Sequence, residues 1–136
     1  MDPNFYLAQY VLGDQYVAKG QWQEGIAAYQ RARQLENKPW VIAGLGYAYA
    51  VAGRRSEAQK VLAELKELSK QKHVSSFWLA TIYAGLGKKD RALELLENSY
   101  QERSLFMAWL KMEPKLDPLR SDPRFQDLLR RMNFPE

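Results

Sequence analysis

"LGDQYVAKGQWQEGIAAYQRA", residues 12–32, is followed at residues 45–65 by "LGYAYAVAGRRSEAQKVLAEL" and at residues 79–99 by "LATIYAGLGKKDRALELLENS". The three stretches superpose without a gap. Leu12, Leu45 and Leu79 open them at spacings of 33 and 34 residues. Four positions on stand Tyr16, Tyr49 and Tyr83, and eight positions on stand Gly20, Gly53 and Gly87. Five further come Gly25, Ala58 and Ala92. Each column has a physical reason. A glycine closes a helix where the left-handed backbone strains any residue with a Cβ. A small residue in the next helix lets two backbones approach, and Leu and Tyr fill the seam between them.

The spacing therefore predicts paired helices at 6–19 and 22–36, 40–52 and 56–71, and 74–86 and 89–102. Ser56 with Glu57, and Asp90, signal two of the starts. A period of about 34 residues carrying Leu-Gly-x-x-Tyr, a turn Gly and then a small residue resembles the tetratricopeptide repeat family. The resemblance covers Tyr6 to Glu102. It implies an all-α, α-α superhelical solenoid of three helical hairpins, divided as 6–38, 39–72 and 73–103, with C-terminal capping helices at 104–136. The departures are Gly25 where the family has Ala, Ala80 where it has Gly, and Gln9, Ile42 and Ser76 at its early Trp position. In this register residues 1–5 are the remnant of a preceding repeat, with Asp2-Pro3-Asn4 at its close, so the natural protein is expected to continue upstream.

Composition fits an ordinary globular chain: 46% apolar, 26% charged, with five Phe, eight Tyr and four Trp in 136 residues. There is no Cys, which removes disulfides, thiolate catalysis and Cys-based zinc sites and suits a reducing cytoplasm. The net charge of +4 comes from 20 basic and 16 acidic residues interspersed along every segment. No basic face of the kind that grips phosphates is segregated, so nucleic-acid binding by this segment is not expected. The longest uncharged stretch, Pro39 to Gly53, is too short and too interrupted by Gly for a bilayer, and with no basic segment leading into an apolar one at the N-terminus a secretory signal is not expected.

"RSLFMAWLKMEPKLDPLRSDPRFQDLLRRMNFPE" breaks the repeat, since the Leu, Tyr and Gly columns stop. Leu105 to Met112 is apolar on nearly every side and predicts a helix buried on more than one face. Asp117-Pro118 and Asp122-Pro123 each pair a capping acceptor with a Pro suited to a first helical turn. Phe125, Leu128, Leu129 and Met132 then form an amphipathic stripe. The tail is expected to fold back and cover the last repeat, as open solenoids require. It is similar to the C-terminal ends of multidomain bacterial proteins in which a winged-helix, nucleotide-cyclase or serine/threonine-kinase domain precedes such repeats. That similarity does not choose among those domains.

No residue set favours chemistry. His73 is the only histidine and sits at a junction without a nucleophilic partner. Asp117 and Asp122 read as caps, and Glu94 and Glu97 as a solvated face. Neither a metal, a cofactor nor an enzymatic activity is expected. Binding is the stronger expectation. The family's geometry turns the first helix of each pair toward a concave side, which here places Tyr10, Asp14, Trp40, Tyr47, Phe77, Trp78 and Thr81 in an apolar, aromatic groove for a peptide or partner segment. The basic clamp with which some family members hold a peptide carboxylate has no counterpart. These rings packing on one another or beneath the tail is the competing reading. Two alternatives stand beside the interaction module: a structural element that homodimerises through an exposed N-terminal helix face around Phe5 and Tyr6, and a regulatory segment of an upstream enzyme.

Overall fold

The structure, a computed structural model, describes residues 5–132; Asp2-Pro3-Asn4 lies outside them. Among the described residues every regular element is helical. Three helix–turn–helix hairpins follow one another: α1 (Phe5–Ala18) with α2 (Trp22–Leu35), α3 (Pro39–Val51) with α4 (Arg55–Leu68), and α5 (Ser76–Gly85) with α6 (Lys89–Gln101). Two short 3-10 helices, Leu105–Trp109 and Pro114–Leu119, and a final α7 (Pro123–Met132) complete the chain.

The three hairpin turns are the same object. Gly20, Gly53 and Gly87 hold φ of 77°, 80° and 78°. The N–H after each glycine reaches back to the column tyrosine: Gln21 to Tyr16 at 2.9 Å, Arg54 to Tyr49 at 2.9 Å, and Lys88 to Tyr83 at 3.0 Å. Each glycine N–H also bonds the carbonyl three residues back, at 3.0–3.1 Å. Orphan helix-end carbonyls are thereby satisfied, and the chain reverses within two residues. A fourth copy closes α6 with Arg103, φ 57°, in the glycine's place, and Ser104 N–H bonding Ser99 at 3.1 Å.

Packing follows from the composition of the helices. α1, α3 and α5 pack side by side as an inner layer, and each outer helix, α2, α4 or α6, lies against its partner. α2 and α4 also touch the inner helix of the next hairpin. α3 has neighbours on both sides, and all residues from Val41 to Ala50 are buried. The column tyrosines bridge successive hairpins: Gln30 of α2 donates to the Tyr49 hydroxyl at 3.1 Å, and Lys66 of α4 to the Tyr83 hydroxyl at 2.9 Å. The small-residue column follows the same logic. A Cβ on Gly25 would come within 2.6 Å of Val17 Cγ2, whereas the equivalents of Val17 are Ala50 and Ala84, facing hairpins that carry Ala58 and Ala92. Gly25 and Val17 are a volume-compensated pair.

Helix ends fall within three residues of expectation. α4 ends at Leu68 and not 71, and its start is marked by the Arg54–Glu57 pair at 2.7 Å, without a capping bond from Ser56. The expected helix over Leu105–Met112 is corrected. Only Leu105–Trp109 is regular, as a 3-10 turn, and Leu105 and Met112 stand 89% and 80% exposed while Met107 and Leu110 are buried. Pro114 and Pro118 lack the N–H that a continuing α-helix needs. Asp122 does cap α7, accepting the Arg124 N–H at 2.9 Å. Asp117 does not cap; Glu113 takes that role for the second 3-10 helix, accepting the Lys115 N–H at 3.2 Å. Glu97 is no idle solvated residue: it receives the Arg131 guanidinium, docking α7 on α6.

Gly53→Ala is expected to destabilise the fold by about 1–2 kcal/mol through backbone strain alone, and Gly25→Ala by about 1–3 kcal/mol through overpacking against Val17. Urea unfolding followed by circular dichroism checks both. The double variant Gly25→Ala/Val17→Ala should recover much of the second loss.

Candidate functional site

The seven expected groove residues lie on the inner helices, and the tail packs over part of that layer. Phe77, Trp78 and Thr81 are fully buried, at 0%, 1% and 0% exposure. Thr81 turns its hydroxyl back to the Trp78 carbonyl at 2.7 Å. Trp78 is enclosed by rings, with Phe106 at 4.8 Å, Phe77 at 5.1 Å, Trp109 at 5.9 Å and Trp40 at 6.5 Å between centroids. Its indole N–H is the only buried side-chain polar atom without a hydrogen-bond partner among the described residues. Aromatic pairs of this kind contribute about 0.5–1.5 kcal/mol each beyond their buried area. The tail thus fills the α5 end of the groove.

The α1 end is built differently. Tyr29 of α2 is fully buried, its ring wedged between Gly13 of α1 and Gly44 of α3, where an added Cβ would meet it at 2.7 and 2.8 Å. Its hydroxyl donates to Asp14 Oδ1. Lys115 enters from the tail, 5% exposed, and donates to the same oxygen at 2.8 Å. Glu113 Oε1 lies 3.4 Å from its ammonium, and the rings of Tyr10 and Tyr29 face it at 5.5 and 5.8 Å. A buried lysine is tolerated only with such partners.

Burial by itself lowers the Lys115 pKa. The surrounding Tyr29, Tyr10, Asp14 and Glu113 outweigh it and hold the ammonium well above its ordinary range. Burial pushes the Tyr10 hydroxyl up to about 12 and Tyr29 higher still, against the opposing pull of Lys115. Both phenols are therefore neutral at physiological pH, and Tyr29 donates to Asp14.

Beside this cluster an open cleft of about 460 Å³ remains between α1, the start of α2, α3 and the 113–118 turn. Asp14, Trp22, Tyr47 and Asp117 line it. Of the sequence-expected residues, Asp14 and Tyr47 line this cleft, Tyr10 packs against Tyr29 and Lys115, Trp40 joins the aromatic cluster, and Phe77, Trp78 and Thr81 belong to the core. Tyr29 and Lys115 escaped the sequence reading. Their signals were the glycines Gly13 and Gly44, which leave room for a ring, and a lysine held between two prolines, Pro114 and Pro118.

No reactive set stands out elsewhere. His73 is exposed and lies 4.0 Å from Glu102. Among the described residues, no group of three or more His, Cys, Asp or Glu is placed to hold a metal ion. No described helix is long and apolar enough to cross a membrane. No protein-family model, curated protein or solved structure matches the chain.

Lys115→Met leaves Asp14 and Glu113 without their cation and is expected to destabilise by roughly 2–4 kcal/mol, moderated by the partial exposure of Asp14. Chemical denaturation against Leu105→Ser, an exposed tail control expected within about 0.5 kcal/mol of the parent, isolates the effect. Tyr10, Tyr29 and Lys115 all keep their protons to higher pH when folded. Their contribution is complete below about pH 10, the unfolded tyrosine value, and is lost as pH rises toward 12. Each proton so retained costs about 1.4 kcal/mol per pH unit over that window. Urea midpoints measured from pH 8 to 12 should fall steeply above 10, and less steeply in Tyr10→Phe.

Proposed function

We propose that the chain is a non-catalytic protein-interaction module: a tetratricopeptide-like superhelical stack of three hairpins, sealed by its C-terminal segment, that binds a polypeptide partner on the side of its inner helices. The observation that carries this reading is the threefold recurrence of one turn, at Gly20, Gly53 and Gly87, with the same glycine φ and the same bond back to a column tyrosine. Equivalent hairpins joined by equivalent turns stack into a continuous curved surface, and such surfaces serve contact more than chemistry. The tail's resemblance to the ends of bacterial signalling and regulatory proteins supports placing the module in a larger protein of that kind.

Where the partner sits is narrowed by the tail. Phe77, Trp78 and Thr81 are covered, which favours contact at the cleft beside Asp14, Trp22 and Tyr47. The test is affinity capture on the immobilised chain, followed by titration of each captured protein in purified form. Trp22→Ala, at a residue 36% exposed, should keep the helical spectrum and weaken a genuine partner by about tenfold or more. A partner bound equally well by Trp22→Ala would move the interface to another face. A turnover by the isolated chain would end the non-catalytic reading.

A second reading has its own observation. α1 leaves Leu7 39% and Val11 49% exposed on one face, with Phe5 at its start 47% exposed. A helix so poor in charge at the edge of a stack favours self-association through that face. Sedimentation equilibrium over a dilution series distinguishes it: a dimer abolished by Val11→Glu supports self-association, and a monomer at all concentrations removes it.

A further inference from the structure

The cleft beside the tail holds a charge pattern that folding leaves unspent. The chain as a whole is positive, at +4, yet Asp14, Glu113 and Asp117 line this cleft against the single ammonium of Lys115. That ammonium is already committed inward. Among the described residues, Asp14 accepts both its bonds, from Lys115 and from Tyr29, on Oδ1, and Glu113 accepts both of its own on Oε1. Asp14 Oδ2 and Glu113 Oε2 are left for a further donor, and Glu113 is only 9% exposed. Asp117, at the mouth, shares its charge with Arg120 at 2.6 Å. The rest of the lining is largely apolar and aromatic, including Val17 and Trp22 from the first hairpin and Pro118 from the tail.

The geometry points to a pocket for the guanidinium of an arginine side chain carried by the partner polypeptide. A planar cation can lie against the indole of Trp22 while its fork of N–H donors serves the two carboxylates, a combination that a lysine ammonium meets less well. The space of about 460 Å³ exceeds one side chain, so an apolar neighbour in the partner segment enters along the Val17 and Pro118 wall. An acidic or phosphorylated segment is repelled by the same carboxylates. This inference rests on the interaction-module reading and names the chemistry its cleft selects.

The experiment is a nitrogen-15 NMR titration of the full chain with acetyl-Leu-Arg-Leu-amide. Matched arms use the citrulline peptide, the lysine peptide and spermidine. Saturable shifts at the Trp22 indole N–H and the Asp14 amide are expected with the arginine peptide. Binding should weaken by about tenfold or more in the citrulline peptide and in Trp22→Ala, and more modestly in the lysine peptide. Equal binding of the citrulline peptide would overturn cation recognition while leaving a polypeptide-binding cleft. Spermidine saturating the same resonances more tightly than the arginine peptide would overturn the polypeptide source. No shift with the arginine peptide, in a chain that still binds a captured partner, would overturn the pocket and spare the module.

Discussion

The inner helices α3 and α5 cannot face water, and much of the structure answers that constraint. Across α1, α3 and α5 the only charged side chain is Asp14. α3 is covered by neighbours on both sides, so its buried run needs nothing further. α5 stands at the end of the stack and is covered by the tail, whose Met107, Leu110, Leu116 and Leu119 are all at 2% exposure or less. The tail is therefore part of the core. It also reaches the far end of the inner layer: Lys115 meets the one charge that layer possesses, 101 residues away in sequence. A single ion pair, supported by Tyr29 and Glu113, ties the last segment to the first helix.

The tail starts as though a fourth hairpin were coming. Arg103 repeats the left-handed turn, at a conformational cost that glycine would avoid. Ser104 caps Phe106 as Ser75 caps Phe77, and the two hydroxyls lie 2.8 Å apart. The copy then fails: Leu105–Trp109 forms only a 3-10 turn, and Pro114 and Pro118 deny the segment after it its α-helical hydrogen bonds. The chain falls into 3-10 turns, sends Phe106 and Trp109 against Trp78, and leaves Leu105 and Met112 outside.

Closure changes what the inner surface can do. An open concave groove would offer a partner the rings of Trp40, Phe77 and Trp78. Here those rings hold the tail, and what stays accessible is a smaller cleft lined by carboxylates and the Trp22 indole. On the interaction reading proposed above, specificity there would come from carboxylate oxygens and one aromatic face, and less from bulk apolar area.

The repeat was legible in the sequence because each of its columns reports a local requirement: a glycine at a left-handed turn, a small residue at a close approach, a tyrosine in the seam between helices. Helix pairing, the hairpin boundaries and the capping role of Asp122 followed from those residues alone. The fate of the groove did not. Whether Trp78 meets a partner or the chain's own Phe106 depends on where a proline-broken segment lands, and periodicity carries no information about that. Lys115 and Asp14 are coupled only because three hairpins stack at a spacing that brings residue 115 over α1. Charge pairs so distant in sequence are decided by the geometry of packing, which no local pattern encodes.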